Sequence, residues 1–156
     1  MTTTITRTKI HETLGPVVAA AGEGYVQYQC VYFDDETAAP GCLVGQMLPS
    51  LGIKAADIFE QELNYEVSAH ELLNSMLFKE REIRAEAAAA LELQLLQALQ
   101  DEGRTWESVL SFAESLSDEE LLALALGEVK EGVVPSLDNY TSQRAFEAWL
   151  YTQNAE

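Results

Sequence analysis

Residues 68–103 read SAHELLNSMLFKEREIRAEAAAALELQLLQALQDEG, and this run sets the class of fold open to the chain. Ser68 and Glu71 form a capping box, in which hydroxyl and carboxylate each accept a backbone N–H left unpaired by a first helical turn. From Ser68 the spacing predicts a helix that can run to Gln100, with Gly103 as its stop. Those 33 residues would span roughly 50 Å if the helix were continuous. The segment Lys79–Glu86 is polar on almost every face, with Glu80 and Arg84 at i, i+4 spacing. The middle of the run is therefore either a solvent-bridging helix or a break.

Working outward toward the C-terminus, Thr105 reads as a new N-cap, and Trp106, Val109, Leu110, Phe112, Ala113 and Leu116 supply the apolar side of the next helix. Ser117 with Glu120 is a second capping box, opening a helix that runs to a stop at Gly132 with Pro135 beyond. Tyr140–Tyr151 carries Phe146, Trp149 and Leu150 at helical spacing, a terminal docking helix. Trp106, Phe112, Phe146 and Trp149 are expected in the core.

Toward the N-terminus, Ala55–Glu62 reads as a helix, and Cys42, Leu43, Gln46, Met47 and Leu48 as a shorter one stopped by Pro49 or Gly52. Tyr25–Phe33 is dense in aromatic and β-branched residues and predicts a strand, followed by the polar turn Asp34–Pro40 and a short second strand or irregular return. Ile10, Leu14, Val17, Val18 and Ala21 fall near helical spacing, but Gly15-Pro16 interrupts that pattern and is expected to confine the helix to either side of the break. The expected architecture is one α-rich α+β domain over residues 1–156. A small hairpin or sheet element lies in residues 1–53, and five or six helices, one of them long, complete the chain. No repeat of 20–50 residues is visible, which argues against a solenoid.

The chain carries 26 acidic and nine basic side chains, a formal net charge of −17. Such a field repels phosphate over about a Debye length, ~8 Å at physiological salt, so direct nucleic-acid binding is excluded and cationic partners are favoured. With 47% hydrophobic residues the chain can build a core despite that charge. No apolar run approaches the ~20 residues of a membrane span, and Met1–Thr8 lacks an apolar signal core, so a cytoplasmic protein without membrane contact is expected.

Cys42 is the sharpest candidate for chemistry. If Pro40-Gly41 opens a helix, the thiol lies in the first turn, where the helix dipole favours thiolate. A nucleophile needs a base, however, and the only histidines, His11 and His70, sit in no recognisable motif. The plainer reading is a small buried hydrophobe. Cys30 and Cys42 flank a turn and could pair, and with His11 and His70 they have zinc-ligand types without the short spacings that preorganise zinc sites. Asp34-Asp35-Glu36 and Asp118-Glu119-Glu120 read as a solvated turn and a helix N-terminus rather than cation sites. No phosphate-binding glycine loop is present, and no cofactor or metal is expected.

Two blocks resemble a known group of proteins. Cys30-Val31-Tyr32 followed by Pro40-Gly41-Cys42-Leu43-Val44-Gly45, with Leu48 and Leu51-Gly52-Ile53 after it, is similar to the N-terminal block of small uncharacterised proteins of actinobacteria and their bacteriophages. Ala98–Trp106 resembles the Gln-Asp-x-Gly-x-Thr-Trp segment of the same proteins. Together the blocks cover roughly a fifth of the chain. The resemblance implies a phage or actinobacterial setting and carries no activity with it.

Residues 57–71 hold five acids and no Lys or Arg, and residues 101–131 hold nine acids against two bases. The expected function is accordingly non-enzymatic: binding of a basic host or phage protein surface through an acidic face, with nucleic-acid mimicry as a specific version. The expected contact residues are Asp57, Glu60, Glu62, Glu66, Glu107, Glu114, Asp118 and Glu119, together with Tyr28 and Tyr32 of the aromatic strand. Two other classes stay open: a cysteine- or metal-dependent hydrolase, and an assembly protein whose long helix self-associates into a homo-oligomer.

Overall fold

The computed structural model describes residues 2–27 and 31–125 and shows an α-rich α+β fold. Two three-residue strands, β1 (Thr3–Ile5) and β2 (Ile83–Ala85), pair in parallel with Thr3 opposite Ile83 and Ile5 opposite Ala85. Thr3 N–H donates to the Glu82 carbonyl (2.9 Å) and Glu86 N–H to that of Ile5 (3.0 Å), which extends the ladder at both ends. Ile5 and Ile83 turn the same face into the core.

The strand expected over 25–33 is not where the sheet forms. Tyr25–Gln27 and Val31–Tyr32 are irregular, Phe33 makes one antiparallel bridge to Pro40, and 28–30 lie outside the described residues. The backbone groups of this run are satisfied by other partners: Tyr25 O accepts from Trp106 N, Val31 O from Cys42 N, and Tyr32 O from Gly41 N. The Asn64 amide closes on both backbone groups of Phe33, at 2.9 and 2.8 Å. Aromatic and β-branched composition marks a half-buried extended chain, and a tertiary setting decides whether that chain meets a strand.

Helix α1 (Arg7–Ala21) runs straight through Gly15-Pro16, against expectation. Pro16 lies on the exposed side, while Ile10, Leu14 and Val18 are buried. Burial of that stripe outweighs the ~3 kcal/mol a mid-helix proline costs, which is least damaging on the convex, solvent face. Helix α2 (Leu43–Met47) tightens into a 3-10 turn (Leu48–Leu51) that ends at Gly52, whose φ of 79° suits glycine. Helix α3 covers Ala55–Glu60.

The run quoted at the outset is not one helix. It splits into α4 (Ala69–Leu73), α5 (Met76–Glu80), strand β2 and α6 (Ala87–Asp101). Asn74 closes α4 by donating its side-chain amide to the His70 carbonyl (2.8 Å), and the Ser75 hydroxyl restarts the helix by capping Phe78 N. The polar stretch Lys79–Glu86 thus holds a break, with Glu82 in the left-handed region between α5 and β2. The 15 residues of α6 span about 22 Å. Helix α6 is the axis of the molecule: it packs against α1, α2, α4, α7 (Trp106–Ser115) and α8 (Asp118–Ala125). Nearly every residue from Ala89 to Gln100 is buried, as befits a helix covered on all sides.

The caps behave as the sequence indicates. Ser68 accepts from Glu71 N and Thr105 from Ser108 N, while Ser117 and Glu120 exchange both bonds of a capping box at 3.1 Å each. Trp106 is buried and stacks edge-on against Tyr25, ring centroids 4.6 Å apart, and Phe112 is partly buried against the core. The helix expected over Tyr140–Tyr151, with Phe146 and Trp149, and the stop at Gly132 lie outside the described residues.

Candidate functional site

The polar side chains of α6 show which groups the fold uses for itself. Gln94, Gln97 and Gln100 recur every third residue, so they spiral slowly across the buried surface of the helix, and all three are at most 5% exposed. Gln100 Oε1 accepts from Leu43 N at 2.7 Å and Gln97 Oε1 from Ala69 N at 2.7 Å; each amide therefore caps the first turn of a neighbouring helix, α2 and α4 respectively. Gln94 reaches His70 N more loosely, at 3.4 Å. Gln97 Nε2 also donates to the Tyr32 hydroxyl (3.0 Å), which in turn donates to the Val67 carbonyl (2.5 Å). A glutamine stripe on an apolar helix is a sequence signal of such remote capping.

A second buried cluster surrounds Glu92, whose side chain is fully enclosed. Arg7 approaches it at 2.6 Å, and His11 Nε2 lies 2.7 Å from Oε1 without hydrogen-bond alignment. Arg7 also donates to the Ala113 and Leu116 carbonyls and to Asp118, tying α1 to α6, to the end of α7 and to the start of α8. Partial burial works against the Arg7 charge, but its hydrogen bonds to Asp118 and Glu92 and their charges outweigh that and hold the guanidinium above its ordinary pKa. An enclosed carboxylate is tolerable only with such a partner.

The Pro40–Gly45 block is structural. A Cβ at Gly41 would overlap the Val31 carbonyl oxygen, and one at Gly45 the Tyr32 carbonyl oxygen, so glycine at both positions lets the two chain segments touch. Cys42 is the N-cap of α2, a helix of five residues, and is 1% exposed. Burial removes its thiol from an incoming substrate. His70 Nδ1 lies 2.8 Å from Ser68 Oγ, and Cys30 is outside the described residues. Among the described residues no group of three His, Cys, Asp or Glu could hold a metal ion, and no helix is long and apolar enough to cross a membrane. Asp34 closes a tight surface turn by accepting from Thr37 N and Glu36 N, which lowers its pKa.

The expected contact residues separate into two kinds. Glu60, Glu62 and Glu66, and Glu107, Glu114 and Glu119, are exposed and make no ion pair among the described residues. Glu107 and Glu114, seven residues apart, share the outer face of α7. Asp57 is already engaged: it caps Lys54 N at 2.9 Å and pairs with Arg81 at 2.7 Å. Asp118 is exposed yet held by Arg7 at 3.0 Å. Tyr32 is a correction, since its ring is fully buried and its hydroxyl bonds inward to Val67 and Gln97; it belongs to the core rather than to a contact face. Tyr28 lies outside the described residues. Comparison with protein-family models, with curated proteins and with solved structures found no match.

Proposed function

We propose that this chain is a non-enzymatic binding protein that captures a basic protein surface through its exposed carboxylates, in the phage-related setting suggested by the resemblance of the Pro40–Gly45 and Gln100–Trp106 blocks. One observation carries the reading: Gln97, Gln100, Arg7 and Glu92 are engaged in capping and pairing inside the fold, whereas Glu60, Glu62, Glu66, Glu107, Glu114 and Glu119 stand exposed and unpaired among the described residues. Unpaired exposed acids contribute little to stability and repel one another; their field speeds encounter with a cationic partner and selects against anionic ones. Asp57 and Asp118, already paired with Arg81 and Arg7, are not needed for this role.

Capture of a partner from host lysate, followed by kinetic measurement with the purified pair, tests the proposal. The association rate should fall steeply between low and physiological ionic strength, and Glu60→Gln, Glu62→Gln and Glu66→Gln together should lower it with little effect on dissociation. Binding that ignores salt, with wild-type association in the triple variant, would refute an electrostatic capture role.

A further inference from the structure

The end of α3 and the loop that leads to α4 present two large aromatics to solvent in a run rich in acids: Phe59 is 36% and Tyr65 57% exposed. The loop is built rigidly. Helix α3 ends in a Schellman motif, with Leu63 N–H donating to the Ile58 carbonyl (3.0 Å) and Glu62 N–H to that of Phe59 (3.2 Å). Asn64, 3% exposed, is clamped to Phe33 through both backbone groups, and the Val67 carbonyl receives the Tyr32 hydroxyl. Tyr65 and Glu66 are therefore held between two buried anchors.

The residues chosen for the turn work against stability. Glu62 occupies the left-handed position after the helix at φ 55°, where glycine is favoured, and Glu66 is left-handed as well at φ 57°. The same chain uses glycine for this purpose at Gly52 and Gly103. Carboxylates thus stand at two left-handed positions in the same short run as two solvent-facing rings, and that run carries no Lys or Arg.

We infer that residues 59–66 are the docking hot spot for an arginine-bearing segment of a basic protein partner. This deepens the electrostatic-capture reading and rests on it. The guanidinium plane stacks on the faces of Phe59 and Tyr65, its aliphatic stem covers their exposed carbon, and Glu60, Glu62 and Glu66 accept its N–H groups. Lysine, a compact and strongly hydrated charge, satisfies the carboxylates but stacks poorly. Because the loop is pinned at Asn64 and Val67, little ordering entropy is lost on docking.

The test titrates the full chain with labelled octa-arginine and octa-lysine at low ionic strength, with amide chemical shifts recorded for each. Octa-arginine should bind roughly 5- to 30-fold more tightly than octa-lysine, the factor for two exposed cation–π contacts. Its shifts should be largest in residues 59–66, and Phe59→Ala with Tyr65→Ala should abolish the preference while leaving salt-dependent binding of both peptides. Equal affinity for the two peptides, or shifts centred on residues 107–119, would overturn the hot spot and leave electrostatic capture standing. Failure of both peptides to bind at low salt would overturn both readings.

Discussion

Replacing Gln97 with Leu tests whether helix α6 organises the fold by capping its neighbours. The substitution nearly conserves volume but withdraws the acceptor held 2.7 Å from Ala69 N, and Ala69 is 1% exposed, so no water replaces it. A buried N–H left unpaired costs about 1–3 kcal/mol, and the lost bond to the Tyr32 hydroxyl about 1 more, although that hydroxyl keeps Val67 as its acceptor. The added apolar burial offsets about 1 kcal/mol. A net loss of about 2 kcal/mol remains, which at a urea dependence of about 2 kcal/mol per molar moves the unfolding midpoint down by about 1 M with an unchanged slope. Gln94→Leu is the internal control. Its bond to His70 N is 3.4 Å, long enough that the same substitution should cost less than half as much. Equal midpoint shifts for the two variants, or a Gln97→Leu protein as stable as wild type, would show that the amide ladder fills space and caps nothing.

Glu62→Gly should raise stability by about 0.5–1 kcal/mol in the same assay, because it relieves a left-handed non-glycine residue at a helix end. Gly45→Ala should destabilise by about 3 kcal/mol, since its methyl meets the Tyr32 backbone, whereas Gly15→Ala, with open space around it inside α1, should stabilise by about 0.5–1 kcal/mol. Arg7→Met should cost about 3 kcal/mol by stranding the enclosed Glu92 carboxylate, and the double variant Arg7→Met/Glu92→Met should recover part of that loss; a single variant as stable as the double would mean the pair is not coupled. Ser117→Ala should cost about 0.5–2 kcal/mol by leaving Glu120 N uncapped, and an unchanged midpoint would place the start of α8 elsewhere.

The local features of this protein could be read from its residues in order. The caps at Ser68, Thr105 and Ser117 involve partners three residues away, and the α7 stripe through Trp106, Val109, Leu110 and Ala113 follows from helical period alone. The acid excess and its two concentrations are composition. Among the candidate site residues, exposure of the glutamates was therefore foreseeable, while the burial of Tyr32 and the engagement of Asp57 with Arg81 were not. Tertiary contact settled whatever depended on distant partners. Strand β1 pairs with a segment inside the most charged stretch, and three-residue strands carry no periodicity to reveal it. Pro16 could stay in a helix because the opposite face was buried. The amides of α6 find their donors 28 and 57 residues away in sequence, at Ala69 and Leu43, where only the packed molecule brings an unpaired helix end within reach. A backbone N–H buried in the core must find an acceptor somewhere, but which side chain supplies it is a property of the assembled fold.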